Sequence, residues 1–466
     1  MRPRTLAAAL LGLVVVAAIV AMRPRLLRSD VRPPGFKADV LVVGGSPAGV
    51  AAALAAARQG TVVVLTEPRP FLGTVWTGAM LNVVDLSRVP GRQEHLIRGI
   101  FLELYRQIGG ITFDPRRMRA ILRDKVEAEP GITLLTRTEL VRPVVASGRV
   151  RGAVVRLPDG AEARITATVT IDATDDADLA AAAGVPYTYG RETSGLDRRA
   201  MPATLMFRLA DVDWPEIVRY AYAHRRGRQP SGVFDGYAWG YRQAMREYRP
   251  DDPRLSAQDL NIGRLPDGTV LVNALQVHDV DGTSRASRIE GYERARREIP
   301  RLVEYMRKHC PGFARARLVE VAPELYIRET RHIRGLYVLT ARDIVERTLF
   351  WDRVAVASYP VDLHAYKQGE RYPYRPVRYP YTIPLRSLIT AHIDGLFVSS
   401  RAFSATYQAA GSARVVPTTI AMGQAAGTAA AVVVLSRVTP HVLAERRDLV
   451  REVQRRLVRD GAIIEF

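Results

Sequence analysis

Hydrophobic positions along the chain change period several times, and the changes mark its elements. Val40-Leu41-Val42-Val43 is an apolar, β-branched run of the kind a strand buried on both faces shows. Gly44-Gly45-Ser46-Pro47-Ala48-Gly49 follows at once, with Pro47 where a helix start tolerates proline. Alanine, the best helix former, then dominates from Ala48 to Gln59, and Gly60 supplies a stop. Thr61 to Leu65 reads as a second buried strand, ending at Glu67. Further on, Gly99 to Gln107 predicts a helix ended by Gly109-Gly110. Asp114-Pro115 opens another that runs to Glu127, with Met118, Ile121, Leu122 and Val126 on one face.

From Leu134 the pattern becomes extended. Glu139 to Val145, Val150 to Leu157 and Ala163 to Thr168, separated by turns at Ser147-Gly148 and Pro158-Asp159-Gly160, predict a three-stranded meander. A further strand over Val169-Thr170-Ile171 leaves through the small and polar residues Asp172 to Asp178. Residues 191–375 are less regular and carry tryptophans and many tyrosines, as an inserted substrate or cap domain of α+β type would. Leu396-Phe397-Val398 is a short buried strand. Pro417 marks the start of an alanine-rich helix that carries Gly423 and Gly427 on one face, so that its backbone can approach a neighbour closely. From His441 the tail reads as an amphipathic basic helix. The layout is therefore a segment 1–34, a dinucleotide-binding domain in two pieces over 35–190 and 376–440, an insertion over 191–375, and a helical tail over 441–466.

Strand, glycine-rich turn, helix, strand and acid in that order form a Rossmann-like α/β unit. It sets backbone N–H groups and a helix dipole against a pyrophosphate, with an acid about 20 residues on to hold a ribose. Gly44 to Gly49 and Glu67 are the residues concerned, and Ser46 stands where a strict pattern has glycine.

Composition narrows the chemistry. At 466 residues the chain suits two or three interlocked domains, and a hydrophobic content of 47% excludes a disordered protein. The net charge of +19 comes from arginines spread over the whole chain without an aromatic-basic stripe, so no nucleic-acid partner is expected. Cys310 is the only cysteine, which rules out an internal disulfide, a redox dithiol and a Cys-x-x-Cys metal site. Electron chemistry must then come from a bound cofactor. Leu6 to Met22 is an uninterrupted apolar run of about 25 Å as a helix, near the lower limit for a membrane span. It predicts an N-terminal hydrophobic helix, either an anchor or a signal segment. Arg23, Arg25 and Arg28 slightly outweigh Arg2 and Arg4, which favours a membrane-associated protein with its catalytic domain on the cytoplasmic side; export to the periplasm is the alternative.

Taken together, Gly44 to Gly49 with Glu67, Leu72-Gly73 with Thr77 and Gly78, Ile171 to Asp178 with Gly184 and Gly190-Arg191-Glu192, Arg328-Glu329-Thr330, Asp362-x-His364, Ile383 to Ser387 and Arg401 to Gly427 resemble the FAD-dependent oxidoreductase family, within the glutathione-reductase-like and fumarate-reductase-like two-domain flavoproteins. The resemblance implies a bound FAD. Its adenosine and pyrophosphate would lie on Gly44, Gly45, Ser46, Pro47, Ala48, Gly49 and Glu67, with Val144 near the adenine and Asp178 near the ribityl chain or pyrophosphate. The Pro417 helix would lie under the flavin ring, and Gly73, Thr74, Thr174, Arg401 and Gly423 complete the implied set. Ser46 and Thr74 replace glycines of the family pattern, and Asp175 stands where glycine is usual, a carboxylate that would repel a pyrophosphate unless it points away.

A flavin would supply hydride or electron transfer between a small organic substrate and an acceptor, with a membrane or quinone-type acceptor among the options, while the protein orients substrate and manages protons. No metal set is recognisable. Candidates for the proton and substrate roles are His364 with Asp362, and Arg328, Arg386, Tyr407 and Arg414. Asp362 and His364 could equally tie the insertion to the dinucleotide domain. Two rival readings stand beside this one: a non-catalytic flavoprotein-like module that binds an anionic membrane or a protein partner, and a site for NAD, which the second contact strand and the C-terminal helix disfavour.

Overall fold

A computed structural model describes residues 35–466 except 227–229, 368, 371–375 and 378. The expected hydrophobic helix within 1–34 lies outside the described residues.

Strand β1 (Gly35–Val43) starts earlier than the apolar run suggests, because its first residues still pair with a neighbour before its side chains become buried. Helix α1 (Pro47–Arg58) follows, and then β2 (Val63–Glu67), β3 (Ile132–Thr136), β4 (Glu139–Ala146), β5 (Arg149–Arg156) and β6 (Glu162–Asp172). The sheet runs in the order β3-β2-β1-β6-β5-β4, parallel across its first four strands and antiparallel from β6 to β4. The helix at Pro115–Glu127 begins, as the pattern requires, on an Asp114 cap whose carboxylate accepts from the Arg116 N–H.

One expectation changes here. The third meander strand and the strand after it are a single strand, β6. Its first half pairs with β5, its last residues pair with β7 (Leu396–Val398), and β1 lies along nearly its whole length. This forking places the exit of β6, at Ala173 to Asp176, beside both the β1–α1 turn and the chain leaving β7.

A second, antiparallel sheet is built mainly from Phe207–Ala210, Leu255–Arg264, Val270–Val277 and Arg317–Val321. Its core packs beneath α2 (Arg285–His309) and includes Phe207, Leu260, Leu275, Ile299 and Phe313. Helix α3 (Val416–Ser436) is long and apolar enough by length and composition to cross a membrane, yet 83% of its apolar window is buried inside the protein. It is a core helix that lies on α1. An added Cβ at Gly423 would sit 2.2 Å from the Ala48 carbonyl oxygen, and one at Gly427 would sit 2.1 Å from that of Ala52. The two glycines therefore let the backbones touch, as their shared face suggests. The basic tail forms α4 (Arg447–Arg459), whose apolar stripe Val450, Val453 and Leu457 is buried.

Candidate functional site

The turn between β1 and α1 is tight for stated reasons. Gly44 has φ +104°, and a Cβ there would meet the backbone of Thr174 at 2.6 Å. Ser46 is the helix cap: its Oγ accepts from Gly49 N at 3.2 Å and donates to the Ala173 carbonyl at 2.8 Å. The departure from glycine thus trades close approach for a tie between the turn and the exit of β6. Gly45 N donates to Glu67 Oε2 at 2.7 Å. The buried Glu67 also accepts from Arg69, yet burial raises its carboxyl above the usual range. Pro47 has no N–H, so the backbone donors of the turn that make no hydrogen bond among the described residues are those of Ser46 and Ala48. Both residues border a cavity.

That cavity has two parts. The wide part, about 490 Å³, is bordered by Gly44, Glu67, Thr74, Thr174 and Asp178 and is overhung by Ile289 and Tyr292 of α2. The buried Thr74 hydroxyl borders it beside the Asp175 carboxyl, whose ionised form it favours. The narrow part, about 30 Å³, is bordered by Ser46, Pro47, Ala48, Asp85, Arg328 and Arg414 and by Val415, Val416 and Thr419 at the start of α3. Asp175, Tyr326 and Arg401 border both parts. Asp175 does not point away from the cavity. Its charge is offset by Arg401 Nη1 at 3.6 Å, while Arg401 Nη2 holds Asp176 at 2.6 Å. Burial still pushes the Asp175 carboxyl up, against the pull of Arg401.

Behind the narrow end lies a buried charged cluster. Arg414 donates to Tyr326 Oη at 2.9 Å and to Asp362 Oδ2 at 3.0 Å. Arg328 donates to Pro202 O and Thr204 Oγ1, each at 2.8 Å, and its guanidinium lies over the Tyr326 ring. Its pKa falls to about 10, chiefly through burial. His364 sits between Gln276 Nε2, 2.6 Å from its Nδ1, and Asp362 Oδ2, 3.3 Å from its Nε2. Burial and Arg328 hold its pKa below the ordinary value. Burial works to raise the Asp362 carboxyl, but His364, and after it Arg414, hold it far below the carboxylate range.

The structure thus brings together most of the expected residues and separates others. Arg328 and Arg414 border the narrow cavity, and His364 reaches it only through Asp362. Arg386 is elsewhere: it pairs with the fully buried Asp352 at 2.9 Å and lies over Tyr337 and Trp351, which makes it a scaffold residue. Tyr407 is packed with Met201 and Tyr366 and does not border the cavity. Among the cofactor candidates, Val144 lies within β4 and Gly423 lies against α1; neither borders the cavity. Gly73 supports the turn from behind by donating to Gly45 O at 2.8 Å. Pro417, second in α3, is set back from the cavity, and its neighbours Val415, Val416 and Thr419 border it instead. Thr174 donates to Asp172, and Asp178 pairs with Arg331 at the rim.

Asp85 and Tyr326 escaped the sequence reading. Both lie in irregular segments, where no period marks a residue as facing a cavity. The one signal for Asp85 was a lone acid directly after the apolar Val83-Val84.

The arrangement fits an elongated dinucleotide. Gly44, the Ser46 and Ala48 amides, which have no partner among the described residues, and the start of α3 border two adjoining cavities. A profile of the family described as FAD dependent oxidoreductase matches residues 39–457. Distant structural likenesses include a geranylgeranyl bacteriochlorophyll reductase-like protein from Thermoplasma acidophilum, at 13% identity over 92% of this chain and 84% of that one, with a TM-score of 0.45. The p-nitrophenol 4-monooxygenase PnpA from Pseudomonas putida DLL-E4 matches at 13% identity over 92% and 88%, with a TM-score of 0.44. The flavin-dependent brominase Bmp2 matches at 11% identity over 90% and 85%, with a TM-score of 0.46. Likenesses this remote carry no information about substrate.

Proposed function

The chain belongs to the FAD-dependent oxidoreductase family, and from that premise we propose that it oxidises or reduces a small organic molecule bound on the Arg328 and Arg414 side of the cofactor, where the narrow part must widen to admit it. In this reading Glu67 holds the adenosine ribose, and the Ser46 and Ala48 amides with Arg401 hold the pyrophosphate. The start of α3 borders the same space and would favour negative charge on a ring held there. Bound flavin supplies the transfer of hydride or electrons. The protein's own part is to exclude water and orient the substrate. Arg328 and Arg414 are both buried and face the same space, so they favour a substrate with an electron-rich oxygen. His364 and Asp362 hold Arg414 in place from behind.

One observation carries the proposal: the cavity at the dinucleotide turn and the cavity beside the buried charged cluster adjoin, with Asp175, Tyr326 and Arg401 bordering both. The test is a screen of candidate reductants and oxidants that follows the flavin absorbance of the purified full chain. A hit should lose at least tenfold in rate in Arg414→Met, with flavin retained. A hit that Arg414→Met turns over at the wild-type rate would contradict this placement of the substrate.

A further inference from the structure

Removing a hydride from a carbon that bears an O–H or N–H also releases a proton, and a buried site must offer it a base. His364 is poorly placed for this task. Its Nδ1 faces Gln276, its Nε2 faces Asp362, and it does not border the cavity. Arg328 and Arg414 are already charged donors, and the Tyr326 hydroxyl is taken by Arg414. Asp175 also borders the narrow part but is paired with Arg401, which leaves the half-buried carboxyl of Asp85.

We propose that Asp85 is the catalytic residue that exchanges a proton with the substrate, and that His364 is a positioning residue acting through Asp362 and Arg414. The proposal rests on the function proposed above and names its proton acceptor. In the oxidative direction the substrate's C–H bond breaks with the hydride passing to the flavin. Its O–H or N–H bond breaks with the proton passing to the Asp85 carboxylate, and a C=O or C=N bond forms. Four groups face this carboxyl: Arg414 favours its ionised form, Tyr359 lies beside it as a hydroxyl donor, Asp362 opposes ionisation, and Tyr237 is raised first by burial and then by the Asp85 charge. His364 and Arg328 act on it through Asp362. Burial outweighs the favourable contacts and pushes the carboxyl up to about 6, so the group is ionised but still basic near neutrality.

The test needs no known substrate. The flavin absorbance of the purified holoprotein, titrated between pH 5 and 8, should shift with a midpoint near 6. The infrared band of a protonated buried carboxyl should appear over the same range. Both transitions should vanish in Asp85→Asn, persist with a moved midpoint in Asp85→Glu, and survive in His364→Gln. A flavin-bearing protein whose transitions survive Asp85→Asn, or vanish in His364→Gln alone, overturns the role of Asp85. A folded protein that takes up no flavin overturns the function proposed above, and this role with it.

Discussion

Gly423→Ala is a sharp probe of the contact that holds the dinucleotide turn. The added methyl carbon would lie 2.2 Å from the Ala48 carbonyl oxygen, 2.9 Å from its carbon and 3.0 Å from its Cα. All three are backbone atoms, so no side-chain rotation relieves the clash. The helices must part by roughly 1 Å to restore van der Waals distance. Overpacking of this kind costs about 1–3 kcal/mol, and the better helix propensity of alanine returns up to about 1 kcal/mol, for a net loss of about 1–2 kcal/mol. Because Ala48 borders the cavity, the same displacement would carry its N–H away from a pyrophosphate held as proposed. Gly427→Ala makes the matching clash one turn further along, on Ala52, and serves as the control. Urea unfolding of flavin-free protein should show similar losses for both variants. Titration with FAD should show at least tenfold weaker binding, about 1.4 kcal/mol, for Gly423→Ala alone. Wild-type FAD affinity in Gly423→Ala, or an equal loss in both variants, would refute the reasoning.

Ser46→Ala removes the helix cap and the hydrogen bond to Ala173, about 1 kcal/mol each. It should therefore lower the stability of the flavin-free protein by about 2 kcal/mol in urea unfolding, and an unchanged midpoint would count against the capping role. Asp85 binds its proton more tightly folded than unfolded, so the stability it contributes is full below about pH 4 and is lost as pH rises through about 6. Asp85→Asn escapes that loss; relative to wild type, the flavin-free variant should gain up to about 3 kcal/mol between pH 4 and 8, read from urea midpoints across that range. Asp352→Ala leaves the part-buried Arg386 without its partner and should cost about 3 kcal/mol, with FAD binding unchanged, whereas loss of FAD at unchanged stability would return Arg386 to the site.

Local pattern carried the dinucleotide half of this molecule well. Alanine content, Pro47 and Gly60 marked α1 to within a residue, and Asp114-Pro115 marked the start of its helix, because caps and breakers act over a few residues. The small face of α3 at Gly423 and Gly427 was visible too, but what it touches was not, so Gly423 passed for a ligand contact when it is a helix contact. The division of β6 into two strands failed because a change of partner along one strand leaves no mark on side-chain period. The far end of the site was the least visible. Asp85, Tyr326 and Arg414 come together from segments at least 88 residues apart, and no period announces such a meeting. Arg386 and Arg414 looked alike in sequence; only burial against Asp352 in one case and exposure to the cavity in the other tells scaffold from site.

The placement of FAD is tested most directly by an experimental structure of the FAD-loaded protein. The account predicts the pyrophosphate within hydrogen-bond reach of the Ser46 and Ala48 N–H groups, the adenosine ribose at Glu67, and the ring beyond Arg401, between the start of α3 and Asp85. A ring lying at the Glu67 end, or a pyrophosphate away from the turn at Gly44 to Gly49, would contradict it.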